Sequence, residues 1–154
     1  MNLHFLTFAD SKLKPSLDRL RAQATDLKSF DELHICDEFH ISELIKKHSI
    51  KFFLENPGFG FWIWKPYLIR KTLENLNIGD VLIYMDVGCE INPKAKRKFK
   101  YFIEKLNKSK GIIAPQLMFS YQAEKLSTKK DVIDVFGVSD NDKILNTPQI
   151  EANL

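Results

Sequence analysis

The feature that most constrains this chain is a run of five apolar residues, Val81-Leu82-Ile83-Tyr84-Met85, that ends abruptly in Asp86. An unbroken run of that length and β-branched character reads as a strand covered on both faces, the situation of a parallel sheet. Its surroundings agree. Leu3–Phe8, ending at Ala9-Asp10, and Leu33–Cys36, leading to Asp37-Glu38, are further short apolar runs, and Gly111–Pro115 is a fourth strand candidate. Between them lie helical patterns. Pro15 suits a first helical turn, and Leu17, Leu20, Ala24 and Leu27 follow on one face. Ser42 is placed to cap a short helix through Lys47 with Ile41, Leu44 and Ile45 inward. Pro66 opens another, with Ile69, Leu73 and Leu76 inward and an end at Asn77 to Gly79. A helix after Pro93 carries Ala95, Phe99, Phe102, Ile103 and Leu106, and Thr128 with Asp131 marks a last one. Such alternation predicts an α/β fold, a mostly parallel sheet with helices on both faces.

Length and composition narrow the class. With 154 residues, 44% of them hydrophobic and 28% charged, the chain suits one domain with a core that needs no staples. Cys36 and Cys89 are its only cysteines, and neither belongs to a CxxC pair, so a zinc ribbon or redox motif has no support. The opening residues lack the basic and apolar segments of a signal peptide, and no apolar run approaches the roughly 18 residues of a membrane span. A cytoplasmic protein is expected. The net charge of +3 is too small to argue for nucleic acid, but basic residues cluster at Lys94, Lys96, Arg97, Lys98 and Lys100. That run is open to two readings: a solvated helix face, or a contact with an anionic substrate or with headgroups on the inner face of a membrane.

In open parallel sheets, ligands bind beyond the carboxyl ends of the strands. Asp10, Asp37 and Asp86 each follow a strand directly, and three carboxylates near one rim suit a hydroxyl-rich or metal-bound ligand. Asp86 is held by its strand and exposed by the strand's end, which is where a hard divalent cation with phosphate oxygens would bind. Gly88 lets the backbone approach a ligand or take a positive φ. The segment Gly58-Phe59-Gly60-Phe61-Trp62-Ile63-Trp64-Lys65-Pro66-Tyr67 is a Gly-rich, aromatic loop that delivers one lysine to a helix start, a place that attracts phosphate. The aromatics equally suit a core. The Gly-x-Gly lacks the third glycine of a dinucleotide fingerprint.

Taken in this order, GFGFWIWKPYLI and GDVLIYMDVGCEIN resemble bacterial glycosyltransferases of the GT-A type, and LHFLTFAD resembles that family's opening strand. The resemblance spans most of the chain. It implies a Rossmann-like domain over residues 1–154 that binds a nucleotide-diphosphate sugar, a UDP-sugar foremost, and transfers the sugar to an acceptor hydroxyl in glycan or polysaccharide synthesis. By position it nominates Thr7, Ala9 and Asp10 for the base and ribose, and Trp64 and Lys65 near the donor. It also nominates Asp86 for Mn²⁺ or Mg²⁺ bound with the diphosphate. The second carboxylate of the family's Asp-X-Asp falls on Gly88, which leaves Glu90 as the substitute metal ligand. The family's further strands on the acceptor side have no counterpart after Leu154, and Gln149 and Glu151 stand where such a segment would line the site. The departures at Gly88 and at the acceptor side imply an alternative: a non-catalytic nucleotide-sugar-binding or interaction module.

Overall fold

A computed structural model describes residues 1–109 and 123–148. The chain divides into two compact units, Met1–Lys94 and Ala95–Leu154. The first is α/β. Its strands β1 (Leu3–Phe8), β2 (Glu32–Cys36) and β3 (Val81–Tyr84) form a parallel sheet in the order β2-β1-β3. The strand starts are tied by carboxylates. Asp31 accepts the amide of Leu3 at 2.7 Å and Asp80 that of Asn2 at 2.7 Å.

The period-2 alternation of strands sorts side chains to two faces. On one, Phe5 packs with Leu33, Ile35 and Ile83 against Leu20 and Ala24 of α1 (Lys14–Leu27). The inward face of α1 is the one its spacing predicts, and Pro15 lies in its first turn. On the other, Leu6, Phe8 and Cys36 pack under α2 (Ser42–His48), α3 (Ile50–Glu55), α4 (Pro57–Phe61) and α5 (Trp64–Leu73). Several sequence expectations need correction here. Ser42 is the first residue of α2 and not its cap. The capping falls to Asp37, whose carboxylate accepts the amide of Phe39 and starts a 3-10 turn over Glu38–Ile41. Helix α5 begins at Trp64, two residues before Pro66, so its buried face is Trp64 and Leu68 while Leu73 is exposed. Trp64 sets that face because its ring stacks on Phe8 at 4.2 Å, worth about 1 kcal/mol beyond area burial.

The segment called α4 is not a right-handed helix. Gly58, Phe59, Gly60, Phe61 and Trp62 all have φ between 50° and 80°, one turn of left-handed backbone. Such a turn costs an L-residue roughly 1–2 kcal/mol per position. The glycines make it possible: a Cβ on Gly58 would lie 2.1 Å from the Trp62 ring, and one on Gly60 would lie 2.8 Å from Phe53. The carbonyl of Gly58 accepts the Trp64 indole N–H at 3.0 Å, which locks the turn to the start of α5.

In the second unit, α6 (Lys96–Ser109) is amphipathic, with Lys96, Arg97, Lys98 and Lys100 exposed. α7 (Glu124–Ser127), α8 (Lys130–Val135) and α9 (Asp142–Leu145) follow, and an antiparallel bridge joins Ala123 to Pro148. Thr128 does not cap α8; its hydroxyl donates to Glu124 at 2.5 Å. The strand expected at Gly111–Pro115 and the residues Gln149 and Glu151 lie outside the described residues. Among the described residues, no helix is long and apolar enough to cross a membrane.

Candidate functional site

Parallel pairing brings the ends of all three strands to one rim. Beyond β3, the Asp86 carboxylate receives the Lys65 ammonium, with Nζ at 3.0 Å from both oxygens, and the Tyr84 hydroxyl donates to the same carboxylate. Lys65 and Asp86 are 18% and 22% exposed, so water and ligands can still reach the pair. Lys65 also lies over the Tyr84 ring, 5.3 Å from its centroid. Burial, the hydrogen bond to Asp86 and the Asp86 charge together push the Tyr84 phenol far above its usual range. It stays a donor at any ordinary pH. The two residues that the sequence nominated separately, 21 positions apart, are thus one charge pair.

The loop after β3 is held by a residue the sequence reading missed. Arg19 of α1 donates to the carbonyls of Val87 at 3.1 Å and Cys89 at 3.0 Å, and Gln23 accepts the amide of Ile91 at 3.1 Å. Arg19 also lies 3.6 Å from Glu90, which draws that carboxylate toward α1. An arginine four residues before a glutamine on the buried edge of a helix was the only signal. Gly88 has no positive φ, contrary to one use expected of it, and an added Cβ would meet open space.

The remaining nominated residues stand apart from the charge pair. Thr7 is fully buried, and its hydroxyl has no hydrogen-bond partner among the described residues. Ala9 is 2% exposed and gives its amide to the carbonyl of Cys36. Neither offers surface to a nucleotide. Trp64 is core. Asp10 is at the rim but caps a 3-10 turn, accepting the amide of Leu13 at 3.2 Å. Asp37 is also a cap. Burial works against its charge, but bonds from His40 and the Phe39 amide hold its carboxyl below the usual range. The three rim aspartates therefore do not converge: two serve local turns, and Asp86 pairs with Lys65. Cys36 is buried, with its thiol pushed up to about 11 first by burial and then by Asp37.

The fit of a divalent cation can be judged from these contacts. Asp86 is one carboxylate, Gly88 supplies none, and Glu90 is turned to Arg19. One carboxylate holds Mg²⁺ or Mn²⁺ only when ligand phosphates complete the shell. The residues present thus fit a cation that arrives with a diphosphate, not one resident beforehand. No protein-family model, curated protein or solved structure matches the chain.

Proposed function

We propose that the rim at Lys65 and Asp86 binds a nucleotide-diphosphate sugar, a UDP-sugar foremost, within a Rossmann-like domain of GT-A type. The chain then acts as a glycosyltransferase toward the hydroxyl of a glycan acceptor. The observation that carries this reading is the pairing of Lys65 with Asp86 beyond the carboxyl end of β3. A lysine on a flexible stem, paired with a carboxylate, would exchange that partner for an incoming diphosphate. Asp86, released by that movement, would hold Mn²⁺ or Mg²⁺ together with the phosphate oxygens, while Tyr84 keeps the carboxylate oriented. The cation supplies neutralisation of charge on the departing diphosphate. Lys65 adds a second positive group at the same place. The exposed basic face of α6 would meet the anionic surface of a membrane on the cytoplasmic side.

A second reading is favoured by a specific observation. Gly88 stands where a second carboxylate is expected, and Arg19 diverts Glu90. A non-catalytic nucleotide-sugar-binding or interaction module would show this arrangement. Calorimetric titration with UDP-sugars, with and without Mn²⁺, separates the two. The enzyme predicts binding strengthened by Mn²⁺ and slow release of free sugar from the donor. The module predicts binding indifferent to metal. Absence of binding to any nucleotide sugar sinks both.

A further inference from the structure

At the opposite end of the same sheet, the register sets His4 of β1 against Glu32 of β2, and His34 follows Glu32 by two positions. All three side chains therefore rise from one face. Their facing atoms form a triangle. His4 Nδ1 is 3.2 Å from His34 Nε2 and 3.4 Å from Glu32 Oε2, and His34 Nε2 is 3.8 Å from the same oxygen. A tetrahedral zinc ion with bonds of about 2.0–2.2 Å places its ligand atoms about 3.3–3.6 Å apart. One side of the triangle lies within that spacing and the other two come within 0.2 Å of it, so small side-chain movements would complete the fit.

The outer contacts point the same way. His4 is 4% exposed, and its other nitrogen, Nε2, makes no hydrogen bond among the described residues. It lies 3.6 Å from Asp80 Oδ2. The Asp80 carboxylate is fixed by the amides of Asn2 at 2.7 Å and Asn77 at 3.2 Å. An imidazole that presents Nδ1 to a metal carries its proton on Nε2, and here that proton would face a fixed carboxylate. This is the carboxylate–histidine–metal arrangement that orients a ligand and raises its basicity. The cluster also borders an open groove of about 940 Å³. Glu32 is 62% exposed, so a fourth position is reachable from water.

We propose that His4, Glu32 and His34 are the three protein ligands of a zinc-class metal site, with Asp80 orienting His4 and the fourth position open to the groove. Two imidazoles and one carboxylate select zinc or its borderline neighbours over the hard cations Mg²⁺ and Mn²⁺. The site is independent of the donor rim.

The test uses the full chain stripped of metal and titrated with ZnCl₂ by calorimetry, without any nucleotide sugar. One Zn²⁺ per chain at micromolar affinity or tighter is expected, unaffected by excess Mg²⁺, and Co²⁺ in its place should give the intense visible bands of a tetrahedral ion. Glu32→Gln and His34→Gln alter partly exposed positions and spare the core, and each should weaken Zn²⁺ at least tenfold. Asp80→Asn should weaken it about 10–100-fold. No saturable Zn²⁺ binding, or binding that Glu32→Gln and His34→Gln leave unchanged, overturns the proposal.

Discussion

The two ends of the sheet in Met1–Lys94 handle charge in opposite ways. At the carboxyl end, Lys65 and Asp86 satisfy each other, and the neighbouring aspartates are spent on turn caps. At the amino end, two histidines and a glutamate bring ring nitrogens and a carboxylate oxygen close to one another, with the Asp80 carboxylate beside His4. The first end is complete as it stands and would open only to a ligand that competes for both partners. The second brings electron-pair donors within 3.8 Å of one another, and among the described residues no lysine or arginine pairs with them. Proximity of polar residues is thus a poor guide to a site. What distinguishes the ends is whether the protein has already provided the counter-charge.

Substitutions can break that contrast, and the largest effect is expected at Asp86. Asp86→Asn should lower Mn²⁺-dependent binding of a UDP-sugar about 100-fold, the scale for truncating one partner of a hydrogen-bonded, partly buried charge pair, while Zn²⁺ titration at the amino end is unchanged. Calorimetry on the one variant with both ligands checks this, and retained metal dependence removes Asp86 from the site. Gly58→Ala comes next. The positive φ and the Trp62 ring together should cost about 2 kcal/mol, lowering the thermal midpoint by about 4–8 °C, because the left-handed turn that presents Lys65 is disturbed. A midpoint within a degree of the parent would show that the turn is not needed. Lys65→Met should weaken donor binding about tenfold whether or not Mn²⁺ is present, since it removes one charge contact with phosphate. An effect seen only without metal would assign Lys65 a different place.

Two smaller effects sharpen the comparison. Gly88→Asp builds a second carboxylate into open space, so it should raise Mn²⁺ affinity a few-fold without loss of stability. A fall in thermal midpoint would show that the loop held by Arg19 has no room for it. The Cys36 thiol has a folded-state pKa raised to about 11, above the ordinary thiol range. Its contribution to stability is therefore complete below the unfolded value and is lost as pH rises through the folded one. Thermal melts between pH about 9 and about 11 should show a decline that is shallower in Cys36→Ala. Equal slopes in the two proteins would contradict the shift.

Much of the frame was legible from residue order. The strand Leu3–Phe8, the inward face of α1 and the strand beginning at Val81 follow directly from apolar spacing. The misplaced helix start at Trp64 has a simple cause. Pro66 is a strong local signal, but the Trp64 ring finds Phe8, from a distant strand, and the helix begins where that stack requires. The unexpected helix Ile50–Glu55 buries only Phe53, too little apolar periodicity to be read in advance. For the carboxyl rim, the sequence nominated Lys65 and Asp86 without their pairing. It also nominated Thr7 and Ala9, which packing places in the interior. For the amino end, the sequence nominated none of His4, Glu32 and His34: Glu32 lies outside the strand read at Leu33–Cys36, and nothing local relates residues 28 positions apart.

By itself, then, the sequence determined an alternation of strands and helices, because periodicity is a property of neighbours and needs no knowledge of the fold. It also determined that Asp86 would sit at a strand end, and it marked Gly58 and Gly60 as loop residues without the left-handed turn they form. Only the tertiary structure decided which charges meet. The register that sets His4 opposite Glu32, and the left-handed turn that carries Lys65 to Asp86, are fixed by packing across the whole core. Side-chain chemistry depends on separations of a few ångströms. Such separations emerge only after every strand and helix has found its partner.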